Sequence, residues 1–145
     1  MDARLFRPEP MRLRDHLLDL HIEERLTYDA ASNTVFMNYA GMRVRTAADL
    51  DRIKEAVDGL LAPLGKRVWS IVNYDRFEAD AEVMDKYLDL VRYVEQRYYL
   101  GVSRYTTTGF MRLKLGRGLE QRAVSSHIFE TRAEARRAME HGRKG

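Results

Sequence analysis

The run Val68-Trp69-Ser70-Ile71-Val72 is a compact, β-rich apolar stretch bounded by Lys66-Arg67 on one side and Asn73-Tyr74-Asp75 on the other. A run with four apolar residues in five, on both alternating faces, reads as a strand buried on both faces. Helical patterns flank it. Before it, Leu50, Ile53, Val57, Leu60 and Leu61 recur at helical spacing until Pro63 and Gly65, and Thr46 with Asp49 resembles a capping box with a shorter acid. After it, Val83, Met84, Tyr87, Leu88, Val91 and Val94 form an apolar stripe that predicts a helix over residues 80–98. A central strand reached through helices requires crossover connections, and so a sheet with a parallel portion covered by helices.

The rest of the chain extends this pattern. Leu26 and Tyr28, then Val35, Met37 and Tyr39, flank the turn-forming Asp29-Ala30-Ala31-Ser32-Asn33 and predict a hairpin, with Gly41 ending its second strand. Tyr98 to Tyr105 reads as a strand broken by Gly101. Thr107 or Thr108 can cap a helix holding Phe110, Met111, Leu113, Leu115 and Leu119, which Gly116 and Gly118 should fray. Residues 126–130 read as a last short strand. Thr131 with Glu134 is a full capping box opening a helix from Arg132 to His141, stopped by Gly142.

The expected fold class is therefore α/β: one domain over residues 23–142, in the order ββαβαβαβα, with helices packed on a mixed sheet. Residues 1–22 read as a lead-in. Pro8 and Pro10 impose an extended start, and Leu13, Leu17, Leu18 and Leu20 follow in a short helical pattern. With Phe6 and Ile22 they are too apolar to stay solvated. The lead-in is expected to dock on its own domain or on a neighbouring copy, which leaves a homodimer open.

A chain of 145 residues suits one domain, since a core of this size buries roughly two-thirds of the unfolded surface. It contains no Cys, which excludes disulfides, thiolate nucleophiles and Cys-ligated metal, and fits a reducing compartment. Arg4, Arg7, Arg12, Arg14 and Asp15 interrupt the apolar residues of the N-terminus, unlike a signal peptide. No run approaches the roughly 20 apolar residues of a spanning helix. A cytoplasmic location without membrane attachment is the expectation. The 25 basic and 22 acidic residues are largely interleaved, so the net +3 does not imply nucleic acid. The excess falls late, from Arg104 to Lys144, and suits either a solvated basic face or an anionic ligand or partner.

Catalytic equipment is hard to assemble from these residues. His16, His21, His127 and His141 form no His-x-x-x-His or Glu-x-x-His pair, so neither a metal site nor a cofactor is expected. Asp80, Glu82, Asp85 and Asp89 follow the solvent side of a helix. Gly101-Val102-Ser103-Arg104-Tyr105 departs from the nucleophile-elbow pattern at its last glycine. No catalytic residue is assigned. The more informative segment is Arg104-Tyr105-Thr106-Thr107-Thr108-Gly109-Phe110, which carries three hydroxyls and a glycine from a strand into a helix N-terminus. Free N–H groups and the helix dipole make such a turn suitable for an anion, although a Thr can simply cap the helix there. Asn73, Tyr74 and Asp75 end the central strand, where open α/β sheets usually place ligands, or else form an Asx-type turn. Asn73, Tyr74, Asp75, Arg104, Thr106, Thr107 and Thr108 are thus the candidate ligand-binding residues.

Five stretches together carry a family likeness: Phe6-Arg7-Pro8-Glu9-Pro10-Met11, Glu24-Arg25-Leu26-Thr27-Tyr28-Asp29, Ala62-Pro63-Leu64-Gly65-Lys66, Ile71-Val72-Asn73-Tyr74-Asp75 and Arg104-Tyr105-Thr106-Thr107. They resemble the C-terminal appendage of the fused acyl-CoA:acetate/3-ketoacid CoA-transferases, over nearly the whole chain from Leu5 to about Ala138. Those enzymes move CoA between carboxylic acids through a glutamyl thioester, with catalytic machinery in two domains upstream of the appendage. The resemblance implies an accessory module rather than the reaction, with an acyl-CoA transferase as a possible partner. The element order also resembles STAS-type domains. Their phosphorylated Ser or Thr follows a central strand, whereas Asn73-Tyr74-Asp75-Arg76 stands here; Thr107-Thr108-Gly109 imitates the motif one strand later. Two further readings stay open: a phospho-regulated partner switch at Thr106, Thr107 or Thr108, and a small enzyme acting on an anionic substrate.

Overall fold

The computed structural model describes residues 21–144, so the lead-in expected over residues 1–22 lies outside the described residues except for His21 and Ile22. The first half of the chain forms β1 (Leu26–Asp29), β2 (Thr34–Asn38), β3 (Arg43–Val44), α1 (Ala47–Leu61) and β4 (Val68–Asn73). The second half forms β5 (Glu78–Ala79), α2 (Ala81–Tyr98), β6 (Tyr99–Tyr105), α3 (Gly109–Gln121), β7 (Ile128–Phe129) and α4 (Arg132–Lys144). Short 3₁₀ turns sit at Ile22–Arg25 and Ala62–Leu64. Among the described residues the main sheet runs β1-β2-β4-β6-β7, with the β1–β2 hairpin antiparallel and the other pairs parallel. The apolar run at Val68 is its central strand, and the α/β class with a mixed sheet and packed helices is as the residue pattern predicts.

Local chemistry explains where the elements begin and end. Asn33 closes the hairpin with φ of 51°, its side chain accepting a 2.7 Å bond from the Tyr28 hydroxyl. Thr46 and Asp49 form a complete capping box at α1, despite the shorter acid. Gly65 supplies the left-handed turn, φ 66°, after that helix. At the other end of the chain, Thr131 and Glu134 exchange capping bonds of 3.1 and 3.2 Å.

The two faces of the sheet are covered unequally. Val35, Met37, Val68 and Val72 point to the same side and meet Ile53, Val57 and Leu61 of α1 and Tyr87, Val91 and Val94 of α2; α3 adds Leu115 and Leu119. The opposite face carries Phe36, Trp69, Ile71 and Tyr105, covered among the described residues by Ala135 and Met139 of α4. Thr27 and Asp29, on that same face of β1, remain exposed.

The glycines act differently from the sequence expectation. Gly101 does not break β6: a register irregularity at this point leaves the strand continuous, and a Cβ here would lie 2.6 Å from the Trp69 ring. Gly118 does not fray α3, which continues to Gln121; its missing side chain lets Leu88 of α2 approach, with a Cβ falling 2.4 Å from Leu88 Cδ1. Nor does Gly142 stop α4, because Arg143 reaches back to the Ser32 carbonyl and the Thr34 hydroxyl and holds the last turn. A parallel two-residue pair, β3 with β5, was absent from the sequence reading; such short strands carry no periodicity.

Gly118 and the exposed Gly59 of α1 should therefore respond oppositely to alanine. Overpacking against Leu88 in Gly118→Ala outweighs the gain in helix propensity, for a loss of about 1–2 kcal/mol. At Gly59 nothing lies within 4 Å of a new Cβ, and Gly59→Ala should gain about 0.5–1 kcal/mol. Urea denaturation measures both, and shifts of the same sign would refute this account of the two glycines.

Candidate functional site

The carboxyl ends of β2, β4 and β6 lie side by side and define one edge of the sheet. Asn73 ends β4; its Nδ2 donates to Asn38 Oδ1 at 3.3 Å, and its Oδ1 accepts from the Asp75 amide at 2.9 Å, forming the Asx-type turn. The turn brings Asp75 to the Thr-rich segment after β6. Asp75 Oδ1 accepts from the Thr107 amide at 2.6 Å and from the Thr107 hydroxyl at 3.1 Å. The turn expected to attract an anion therefore already holds one, the carboxylate of Asp75 (hydrogen bonds of this kind are strengthened by the charge). Thr108 is the N-cap residue of α3, yet its side chain makes no capping bond; its amide instead donates to Thr106 Oγ1 at 3.3 Å.

Of the seven candidate residues, the structure brings Asn73, Asp75 and Thr107 together and leaves Thr108 exposed beside them. It sends Tyr74, Arg104 and Thr106 inward, with 2%, 1% and 0% of their surface exposed. Strand alternation is the reason: Arg104 shares a face with Val102, whereas Tyr105 points to the α4 side. The Arg104 guanidinium donates to the Ser125 carbonyl at 2.7 Å and to Glu95 Oε1 at 3.1 Å. Glu95 Oε2 in turn accepts from the Ser125 amide and hydroxyl at 3.0 and 3.1 Å. Burial opposes the charge on Arg104, but Tyr74, Glu95 and Tyr99 outweigh it and raise its pKa. The Tyr74 hydroxyl lies 2.7 Å from that of Tyr87.

A different group of residues opens toward solvent at this edge. Asn38, Asn73, Tyr105 and Arg132 line a cavity of about 180 Å³ floored by Phe36 and Ile71. Arg132 opens α4, and Arg136 lies one turn further along it, over the Phe36 ring at 5.5 Å. Both arginines are exposed, and among the described residues neither forms an ion pair. Burial raises the pKa of Tyr105; Arg132 counteracts this, Asp75 adds to it, and Arg136 counteracts it again, so all three charges act on this phenol. Two guanidiniums, two carboxamides and a phenol can hold a carboxylate or phosphate by charge-assisted hydrogen bonds. Arg132 and Arg136 were visible in the sequence only as part of the late basic excess. Among the described residues no group of His, Asp and Glu could hold a metal ion, and no helix is long and apolar enough to cross a membrane.

The geometry thus defines an α/β domain with a cationic crevice at the carboxyl edge of its parallel strands. No protein-family model, curated protein or solved structure matches the chain.

Two outcomes follow, one from the bonds at this edge and one from the buried phenols. Asp75→Ala removes the acceptor of the Thr107 amide and should lower stability by about 1–2 kcal/mol. Amide exchange at Thr107 should quicken as well; unchanged exchange would show that the carboxylate does not hold the turn. The second concerns alkaline pH. Burial, with the hydrogen bond to Asp58, pushes Tyr98 up to about 12, and burial likewise raises Tyr39 and Tyr87. A folded-state pKa above the unfolded value of about 10 gives stability that is complete below pH 10 and lost as pH rises through the folded value. Denaturation midpoints should therefore fall between about pH 10 and 12, and a flat profile there would contradict the shifts.

Proposed function

We propose that this domain is a non-catalytic accessory or regulatory module that binds a small acidic ligand at the crevice formed by Asn38, Asn73, Tyr105, Arg132 and Arg136. The observation that carries the reading is the pair of guanidiniums, one turn apart on α4 and without an ion pair among the described residues, beside the 180 Å³ cavity at the strand ends. Open α/β sheets place ligands at this edge. The two strings Ile71–Asp75 and Arg104–Thr107, which resemble the CoA-transferase appendage, meet there through Asp75 and Thr107. That likeness supports acyl-CoA metabolism as the setting and a short carboxylate as the ligand class.

Titration with acetate and butyrate, followed by amide chemical shifts, tests the reading. Shifts should cluster at Asn38, Asn73, Tyr105 and Arg132. The double variant Arg132→Glu/Arg136→Glu should weaken binding by roughly tenfold or more, about 1.4 kcal/mol. Binding that ignores the double variant, or shifts confined to another part of the surface, would overturn it.

A further inference from the structure

Behind the crevice, on the α1–α2 side of the sheet, lies a second and smaller cavity of about 20 Å³. Tyr39, Tyr74, Tyr87, Tyr99, Met37 and Arg104 contribute to its wall, and all six are buried. Arg104 has a buried Nε–H that finds no acceptor among the described residues, although the other guanidinium nitrogens bond Ser125 and Glu95. A fully buried donor left unpaired is destabilising, and native interiors rarely leave one so.

The hydroxyls around the cavity have the complementary need. Tyr39 and Tyr99 direct their O–H groups toward Met37 Sδ, at 3.6 and 3.1 Å, and although the Ser70 hydroxyl also interacts with the Tyr99 oxygen, each oxygen keeps a lone pair available. In the Tyr74–Tyr87 pair one hydroxyl donates to the other, so that pair also keeps accepting capacity. The wall thus offers two spare donors, Arg104 Nε–H and the O–H of whichever tyrosine accepts in that pair, together with several spare acceptors. Water accepts and donates, and needs about 10–15 Å³ and two to four polar partners. We propose that this cavity is a binding site for one ordered internal water, which accepts from Arg104 Nε–H and donates to tyrosine oxygens of the cluster.

The water joins the turn after β4, β6 and α2 through Tyr74, Arg104 and Tyr87. Tyr74 and Arg104 are each the chain neighbour of a crevice residue, Asn73 and Tyr105, so the bridge braces both strand ends from the opposite face. This inference stands apart from the choice of ligand at the crevice.

A crystal structure of the unmodified protein tests it directly. One water within hydrogen-bond reach of Arg104 Nε and of at least one tyrosine oxygen supports the site. A dry cavity, a tyrosine hydroxyl bonded straight to Nε, or an ion in the water's place overturns it. In solution the Arg104 Nε–H should show a direct cross-relaxation peak to water with a residence time above about a nanosecond. Tyr99→Phe, which removes an acceptor while keeping the ring, should shorten that residence time several-fold. A peak absent from the folded wild-type protein would overturn the proposal, and so would one that Tyr99→Phe and Tyr74→Phe each leave unchanged.

Discussion

The burial of one charge, the guanidinium of Arg104, sets conditions that much of the domain has to meet. A charge inside a protein costs several kcal/mol unless it is paired and its remaining donors are bonded. Here the partners come from different parts of the chain: Glu95 near the end of α2, and Ser125 in the connection between α3 and β7. Glu95 also grips the Ser125 amide and hydroxyl, so the same ion pair ties that connection to the helix. The pair fixes how β6 sits against α2, and it draws the chain leaving α3 back to the sheet, where β7 pairs with β6. The tyrosines fit this setting because each presents an apolar ring to the core and a hydroxyl to the polar cluster.

The inward turn of Arg104 has an outward counterpart. Successive side chains of a strand face opposite sides, so placing Arg104 in the core places Tyr105 on the α4 face. There it meets Asn73 from the next strand and Arg132 from the start of α4. Asp75 has the decisive part in what this edge can bind. By accepting from Thr107 it satisfies the turn internally and moves the free positive charge from the helix α3 terminus to the arginines of α4. A helix with a full capping box holds those arginines at a defined height above the strand ends.

The fold was legible wherever a local pattern decided it. The largely apolar run from Val68 to Val72, the stripes from Leu50 and Val83, and the two Thr-led capping boxes each fix their element through neighbours in sequence. Gly101, Gly118 and Gly142 misled for one common reason. Their intrinsic propensity argues for a break, whereas the constraint that placed them is tertiary: the Trp69 ring over Gly101, Leu88 against Gly118, and the anchoring of Arg143 beyond Gly142. The candidate site was legible in place more than in composition. Strand-end residues Asn73 and Asp75 were identifiable because strand ends are where α/β sheets bind. Arg104 depended on which face of β6 it took, and Arg132 and Arg136 on where the last helix crosses. Both are facts of three-dimensional packing that a charge count cannot express.

The position of the crevice also explains why a ligand there would find it already formed. Asn38, Asn73 and Tyr105 belong to hydrogen-bonded parallel strands, and Arg132 and Arg136 to a capped helix. Groups held on strands and helices keep their geometry without a ligand, so little ordering entropy has to be offset on binding. The arginine side chains remain long and exposed, and they are the part of the site with most freedom to lose. Phe36 restrains one of them: Arg136 lies over its ring, a contact that favours the guanidinium without consuming its N–H donors. The aromatic floor of the crevice therefore helps to orient a cation whose donors stay available to an anion, and α4 supplies the charge that the strand ends lack.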